Sequence, residues 1–413
     1  MKTRTGTTAH GHVIIVTLVI CLLLGIVLLG VMKLTTNEGQ LTGRSQSWNG
    51  AIPVAEAGIE EAFTHLKYCP TNRASNGWTL VNDHYIKSRT MDRSWYEVTI
   101  STNYDPVITA RGGIRAPSQT NYIIRTVRVM ATNEPMFSAA IEASEEIKFA
   151  GSGVTINSYD SRDPNYSQPD GRYDPNKFKD KGRVVCHYGP FELGNAKIYG
   201  RVETGEESAL TMGPGAVVGS ILFHLNGGTG VEEGWHTSTT SSELFPVEGP
   251  PGGIQLPTKI GGAYVLTNAH YLTDNLQGTV VVTGNDVILT VNNTFKVNDF
   301  RVQAGANIKL YVNAADVALT KLDNRNIRAE SFMYYGLEGN QNIALGGNGS
   351  FCGVVFAPNA RLSITGGGND LLDFLGAIIA KAVDVKGKMN FHFDEATTRL
   401  GSRGFIASRW DEL

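Results

Sequence analysis

The sequence predicts a membrane-anchored, mainly β protein: an N-terminal transmembrane α-helix, a small antiparallel sheet, and then a right-handed parallel β-helix. Three observations predict it. Positions 13–32 form an apolar run without a charge. Residues 68–134 contain strand-like runs with alternating polar and apolar side chains. From about Phe137 onward, short apolar runs alternate with turns rich in glycine, asparagine and aspartate, and no helical period survives.

Composition limits the alternatives. Hydrophobic residues make up 41% of 413, which excludes a wholly disordered chain. The 47 glycines exceed ordinary usage, yet there is no Gly-X-Y period and only 15 prolines, so abundant turns explain them better than collagen. Lysine plus arginine number 36 against 39 acidic residues, so no basic footprint points to nucleic acid. The cysteines, Cys21, Cys69, Cys186 and Cys352, are scattered, and no two have metal-ligand or redox spacing. Cys21 and Cys352 lie in apolar strings and read as small buried hydrophobes. A Cys69–Cys186 bridge is open in an oxidising compartment, and spacing does not decide it.

The run VIIVTLVICLLLGIVLLGVM, as a helix, spans about 30 Å, the thickness of a bilayer core. A cleaved secretory signal would be shorter and would end in a small-residue cleavage site, whereas Lys33, Leu34, Thr35 and Thr36 follow here. Lys2 and Arg4 precede the run, with no acidic residue among the first twelve positions. That bias places the N-terminus in the cytoplasm and the bulk of the chain across the membrane, periplasmic or extracellular.

The leader MKTRTGTTAHG ends at Gly11, directly before His12 and the apolar run. Here the sequence resembles type IV prepilins, whose basic leader is cut after a glycine by a prepilin peptidase. The string RSQSWNGAIPVAEAGIEEAFTHL extends the likeness to PilX-type minor pilins, through Ala55-Glu56-Ala57. The resemblance covers about residues 1–67. It implies cleavage between Gly11 and His12, and partnership with other pilin-like subunits in a type IV pilus or secretion pseudopilus. His12 stands where the family usually has an apolar or small residue, and Val16 where major pilins carry glutamate. The second departure argues for a minor subunit.

Read from its own residues, 52–66 is an amphipathic helix. Ile52, Ala55, Ile59, Ala62 and Leu66 form one apolar stripe, with Glu56, Glu60, Glu61 and Lys67 off it. Pro53 suits a first helical turn. The stripe fits a stalk packed on its own globular domain, or one packed on neighbouring subunits. Strands are expected at 78–86, 94–102 and 121–132.

In the C-terminal bulk a short element recurs: LGNAKIYG at 193–200, GPGAVVGS at 213–220, AGANIKLY at 304–311 and APNARLSI at 357–364. The first two start 20 residues apart, about one coil of a parallel β-helix. Stacked coils share a continuous core, so Ile308, Leu310, Leu362 and Ile364 should be buried, with Lys309, Arg361 and Ser363 exposed. This texture resembles the polymer-like solenoid domains found behind PilX-type N-termini. Positions 226–257 read as an irregular excursion.

Carbohydrate cleavage on a β-helix needs convergent carboxylates. The candidates are Asp370 with Asp373, the His392–Asp394–Glu395 cluster, and the loop pairs Asp160/Asp163 and Asp170/Asp174. Alternation puts His392 and Asp394 on one face, where a solvated face with Phe391 and Phe393 inward is the simpler reading. The aspartates of 161–177 lack the spacing of an EF-hand calcium loop. Phe332, Tyr334 and Tyr335 read as core aromatics rather than a binding patch.

The domains expected are a leader at 1–11, a transmembrane and stalk helix at 12–67, an antiparallel sheet at 68–134, a parallel β-helix at 135–395, and a cap or tail at 396–413. The function expected is a pilin-like structural protein of the bacterial inner membrane, not an enzyme, with no cofactor or metal. A surface polysaccharide or protein is a further partner. The alternative is a membrane-tethered β-helix enzyme acting on envelope or extracellular polysaccharide.

Overall fold

A computed structural model describes residues 10–68, 73–103, 105–117, 120–150, 153–239, 244–326, 328–347, 350–366 and 372–413. The chain divides into two units, Met1–Glu134 with Gly404–Leu413, and Pro135–Arg403.

The first unit begins with one 59-residue helix, His10–Tyr68. It is long and apolar enough to cross a membrane, and its apolar stretch is exposed all round. Pro53 lies inside this helix rather than in the first turn of a separate one. Its ring removes one backbone hydrogen bond, and the helical hydrogen bonds on either side carry the chain through.

Over its last turns the helix docks on an antiparallel sheet of Thr79–Val81, His84–Met91, Ser94–Ser101, Val107–Arg115 and Tyr122–Pro135. Ala55, Ile59, Ala62 and Leu66 are buried against Tyr96, Val98, Ile100, Ile108, Ala110, Val127 and Val129. The stripe is thus satisfied within its own unit. Two local features differ from expectation. The run 78–86 is a hairpin rather than one strand, because Asn82 and Asp83 take positive φ, 46° and 60°, as a tight two-residue turn requires. The Val107–Arg115 strand has no counterpart in the sequence reading. Its Gly112 lies against the helix, where a Cβ would come within 2.4 Å of the Ala55 nitrogen.

The sixth strand is Ser402–Glu412, beside Tyr122–Pro135. Leu413 donates its N–H to Thr126 and the Ser408 hydroxyl donates to the Met130 carbonyl, so the two run antiparallel. Residues expected as a cap or tail therefore complete the first unit's sheet. In chain order, the whole second unit is an insertion between two neighbouring strands.

Among the described residues of the second unit every ladder between strands is parallel, arranged as three stacks. One joins, in order, the strand segments at 270, 288, 308, 332, 354, 377, 141, 184, 202 and 236. The second runs from Asn275 through Phe295, Val317, Ile343, Leu362, Val383, Ile147 and Phe191 to Leu210. The third ends Phe351, Phe374, Phe391, Ile156, Ile198, Val218, Val231. Inward residues form one apolar core. Ile308, Leu310, Leu362 and Ile364 are buried and Lys309 and Arg361 exposed, as the period-2 pattern predicts, while Ser363 is half-buried.

The order of the stacks is not the order of the chain. The chain enters at the middle with Ile141–Phe149 and runs to one end at His236–Ser238. It then restarts at the opposite end with Ala263–Leu266 and fills inward until Leu372–Val385 pairs with Ile141–Phe149. The return is complete by Ile254, which pairs with Tyr271 at the far end. Ten strands at about 4.8 Å span about 45 Å, inside the maximum reach of about 53 Å for the residues from Ser238 to Ile254. The excursion expected at 226–257 begins later, since Gly230–Val231 and His236–Ser238 still pair within the stack.

Candidate functional site

The N-terminal helix is the first candidate. Along 13–34 large apolar side chains face outward in every direction, from Val13 to Leu34, and are exposed among the described residues. Cys21 is exposed there, contrary to the buried reading, because no protein surrounds it. Gly11 and His12 lie within the first turn of the helix. Further along, Glu61 collects Lys87 at 2.8 Å, the Arg89 guanidinium and the Tyr96 hydroxyl at 2.6 Å, pinning helix to sheet.

The polar cluster on Met389–Asp394 is the second. This strand lies between Leu372–Val385 and Thr155–Tyr159. Phe391 and Phe393 point into the core, as alternation requires. The opposite face is not solvated: His392 is 3% exposed and Asp394 1%. Tyr173 stacks on the imidazole at 3.7 Å, and Ser161 and Asp394 are joined by a hydrogen bond, so the loop after Tyr159 covers this face. His392 Nδ1 lies 2.7 Å from Asn157 Oδ1 and Nε2 3.4 Å from Asp373 Oδ1. Burial opposes ionisation of Asp373, yet its hydrogen bond with His392 holds the carboxyl below its ordinary value.

The other carboxylates diverge. Asp394 accepts the backbone N–H groups of Ser161 and Ala396, capping the short turn Glu395–Arg399, and burial pushes its carboxyl up. Glu395 is held by Lys179 at 2.6 Å, Lys181 at 3.2 Å and the Ser158 hydroxyl. Asp160, Asp163, Asp170 and Asp174 each accept the N–H two residues on, which makes them turn formers rather than paired acids. Asp370 lies outside the described residues. Among the described residues no group of three or more His, Cys, Asp or Glu is placed to hold a metal ion.

Sequence reasoning missed a third cluster, at the middle of the stack where the chain enters and leaves. The buried Glu142 carboxylate accepts from His187 Nε2 at 3.0 Å and from both terminal nitrogens of Arg403. Arg403 also donates to the Met136 carbonyl at 2.8 and 2.9 Å. Burial pushes the Glu142 carboxyl up, but the His187 and Arg403 hydrogen bonds outweigh it and hold it at about 2. Alternation along Ile141–Phe149 puts Glu142 on the face opposite the core residues Ile141 and Ala143, so no local signal marks its burial, and its partners are distant in the chain.

Residues 254–400, about a third of the chain, match a family described as a domain of unknown function (DUF7305). The match coincides with the run from 263 to 394 that fills one end of the stack. No curated protein matches the chain. Among solved structures, the competence-associated pilin ComZ from Thermus thermophilus is similar over 89% of this chain and 97% of that one. Identity is 12% and the TM-score 0.25, a likeness too slight to carry an argument.

The remaining sequence candidates have structural places. Phe332 and Tyr334 are core, while Tyr335 is half-buried and stacks on Tyr311 at 4.9 Å. Cys186 and Cys352 are buried free thiols, and Cys69 lies outside the described residues.

Proposed function

We propose that this chain is a membrane-anchored, pilin-like structural protein, a PilX-type minor subunit of a type IV pilus or secretion pseudopilus. Its helix would sit in the bacterial inner membrane with the N-terminus cytoplasmic. The parallel stack would be a right-handed β-helix displayed on the far side for contact with a surface partner.

One observation carries the reading: a single helix divides into two halves with different needs. Residues 51–66 bury a narrow stripe against the chain's own sheet, whereas 13–34 expose apolar side chains on all sides. A helix apolar all round requires an apolar surrounding that the chain does not supply. A bilayer supplies it before assembly, and a bundle of like helices would supply it in a filament. The basic leader ending at Gly11 supports processing by a prepilin peptidase.

Gly11→Val tests this. The variant should stay in the membrane fraction, since 13–32 is unchanged, but retain its leader and stay out of any filament. Normal processing of Gly11→Val would overturn the proposal. Of the carboxylates that the tethered-enzyme alternative would use, Asp394 instead caps a turn and Glu395 is held in an ion-pair cluster.

A further inference from the structure

A groove of about 700 Å³ runs along the second unit, lined by Tyr188, Gln341, Asn342, Asn359, Arg361 and Lys381 among others. It is a built feature of the stack. Asn342, Arg361, Ala382 and Glu146 are successive partners across four strands. The ladders shift register between Ala357 and Arg361 and between Ala380 and Ala382. Such bulges turn side chains out of the regular alternation. They place Pro358, Asn359 and Lys381 on the wall of one groove that crosses successive strands at about 4.8 Å intervals.

The lining chemistry selects a ligand class. Lys381 pairs with Glu145 at 3.2 Å and Arg361 with Glu146 at 2.8 Å, so the cations are already neutralised. Gln341 and Asn359 are exposed, and among the described residues their amides make no side-chain hydrogen bond. Unspent amides donate and accept at once, as hydroxyl groups do. The lining strands are paired on both sides, so no edge is open for an added peptide strand. Apolar lining is limited to Leu244, Pro358, Ala382 and the ring of Tyr188.

We propose that this groove binds a linear, uncharged glycan, with successive sugar units lying across successive strands and Tyr188 offering an aromatic surface along the lining. Every lining residue lies within Pro135–Arg403, so the proposal stands apart from the filament reading.

The test is calorimetric titration of the full chain in detergent with cellohexaose, maltohexaose and chitohexaose, against cellobiose and hexagalacturonate. At least one neutral hexasaccharide should bind, and cellobiose and hexagalacturonate should each bind at least tenfold more weakly than it does. The double variant Gln341→Ala/Asn359→Ala, altered only at exposed positions, should keep its melting temperature and lose at least tenfold in affinity. Absence of binding by all three hexasaccharides, equal or tighter binding of hexagalacturonate, or an unchanged double variant would overturn the proposal.

Discussion

The two units solve the same problem, burying a sheet, by different means. In the first, the five strands before residue 135 are neighbours both along the chain and in space: hairpins build an antiparallel sheet and one helix covers it, and only Ser402–Glu412 joins from far along the chain. In the second, neighbours in the stack lie mostly about twenty residues apart, Ile141 and Val184 lie 43 apart, and the ladder passes from Ile378 back to Ile141. A local sheet tolerates a local fault. A stack passes each inward position on to the strands above and below, so its stability rests on columns of side chains.

The largest effect should therefore come from an inward column. Leu310 is fully buried between strands on both sides. Leu310→Asp puts an unpaired charge there and should cost about 5 kcal/mol, seen as loss of the cooperative thermal transition. Lys309→Asp, one residue away and exposed, should shift stability by at most about 0.5 kcal/mol. Equal losses from both would break the period-2 account of the stack.

Next in size is the cluster where the ladder leaves chain order. Glu142→Gln leaves Arg403 without its buried counter-charge and should cost about 3 kcal/mol. In the parent protein the Glu142 carboxyl falls from an ordinary 4.5 to about 2. A depressed acid stabilises the fold above its unfolded value, and this contribution of about 3 kcal/mol is lost as pH falls from about 4.5 towards 2. Acid unfolding of Glu142→Gln should accordingly be flatter over that window. A parallel pH dependence would remove Glu142 from its place in the stack's stability.

In the first unit the decisive contact is steric. Gly112→Ala drives a Cβ to 2.4 Å from the Ala55 nitrogen and 2.6 Å from the Ala51 oxygen. The helix must lift, at about 2 kcal/mol. A neutral result would mean that the helix docks on this sheet less closely than described.

What was legible in the sequence follows the same division. The apolar run, the 52–66 stripe and the strand alternation are local signals, and each appears where its period placed it. Val107–Arg115 was not foreseen: Gly112 and Gly113 interrupt its side-chain alternation, and Gly112 is needed for the approach of the helix, a contact distant in the chain. The 78–86 run was read as one strand because Asn82-Asp83 is a weaker turn signal than Asn-Gly. Pairing of Ile378 with Ile141, and the burial of His392 and Asp394 beneath a loop, depend on contacts between distant positions. No local period records them. The Glu142–Arg403 pair was illegible for the same reason.

The central claim, a pilin-like anchor released from its leader, is tested most directly by sequencing the N-terminus of the protein recovered from the membranes of its native host. The account predicts a mature chain beginning at His12. A chain beginning at Met1, or at any residue beyond Met32, would contradict it.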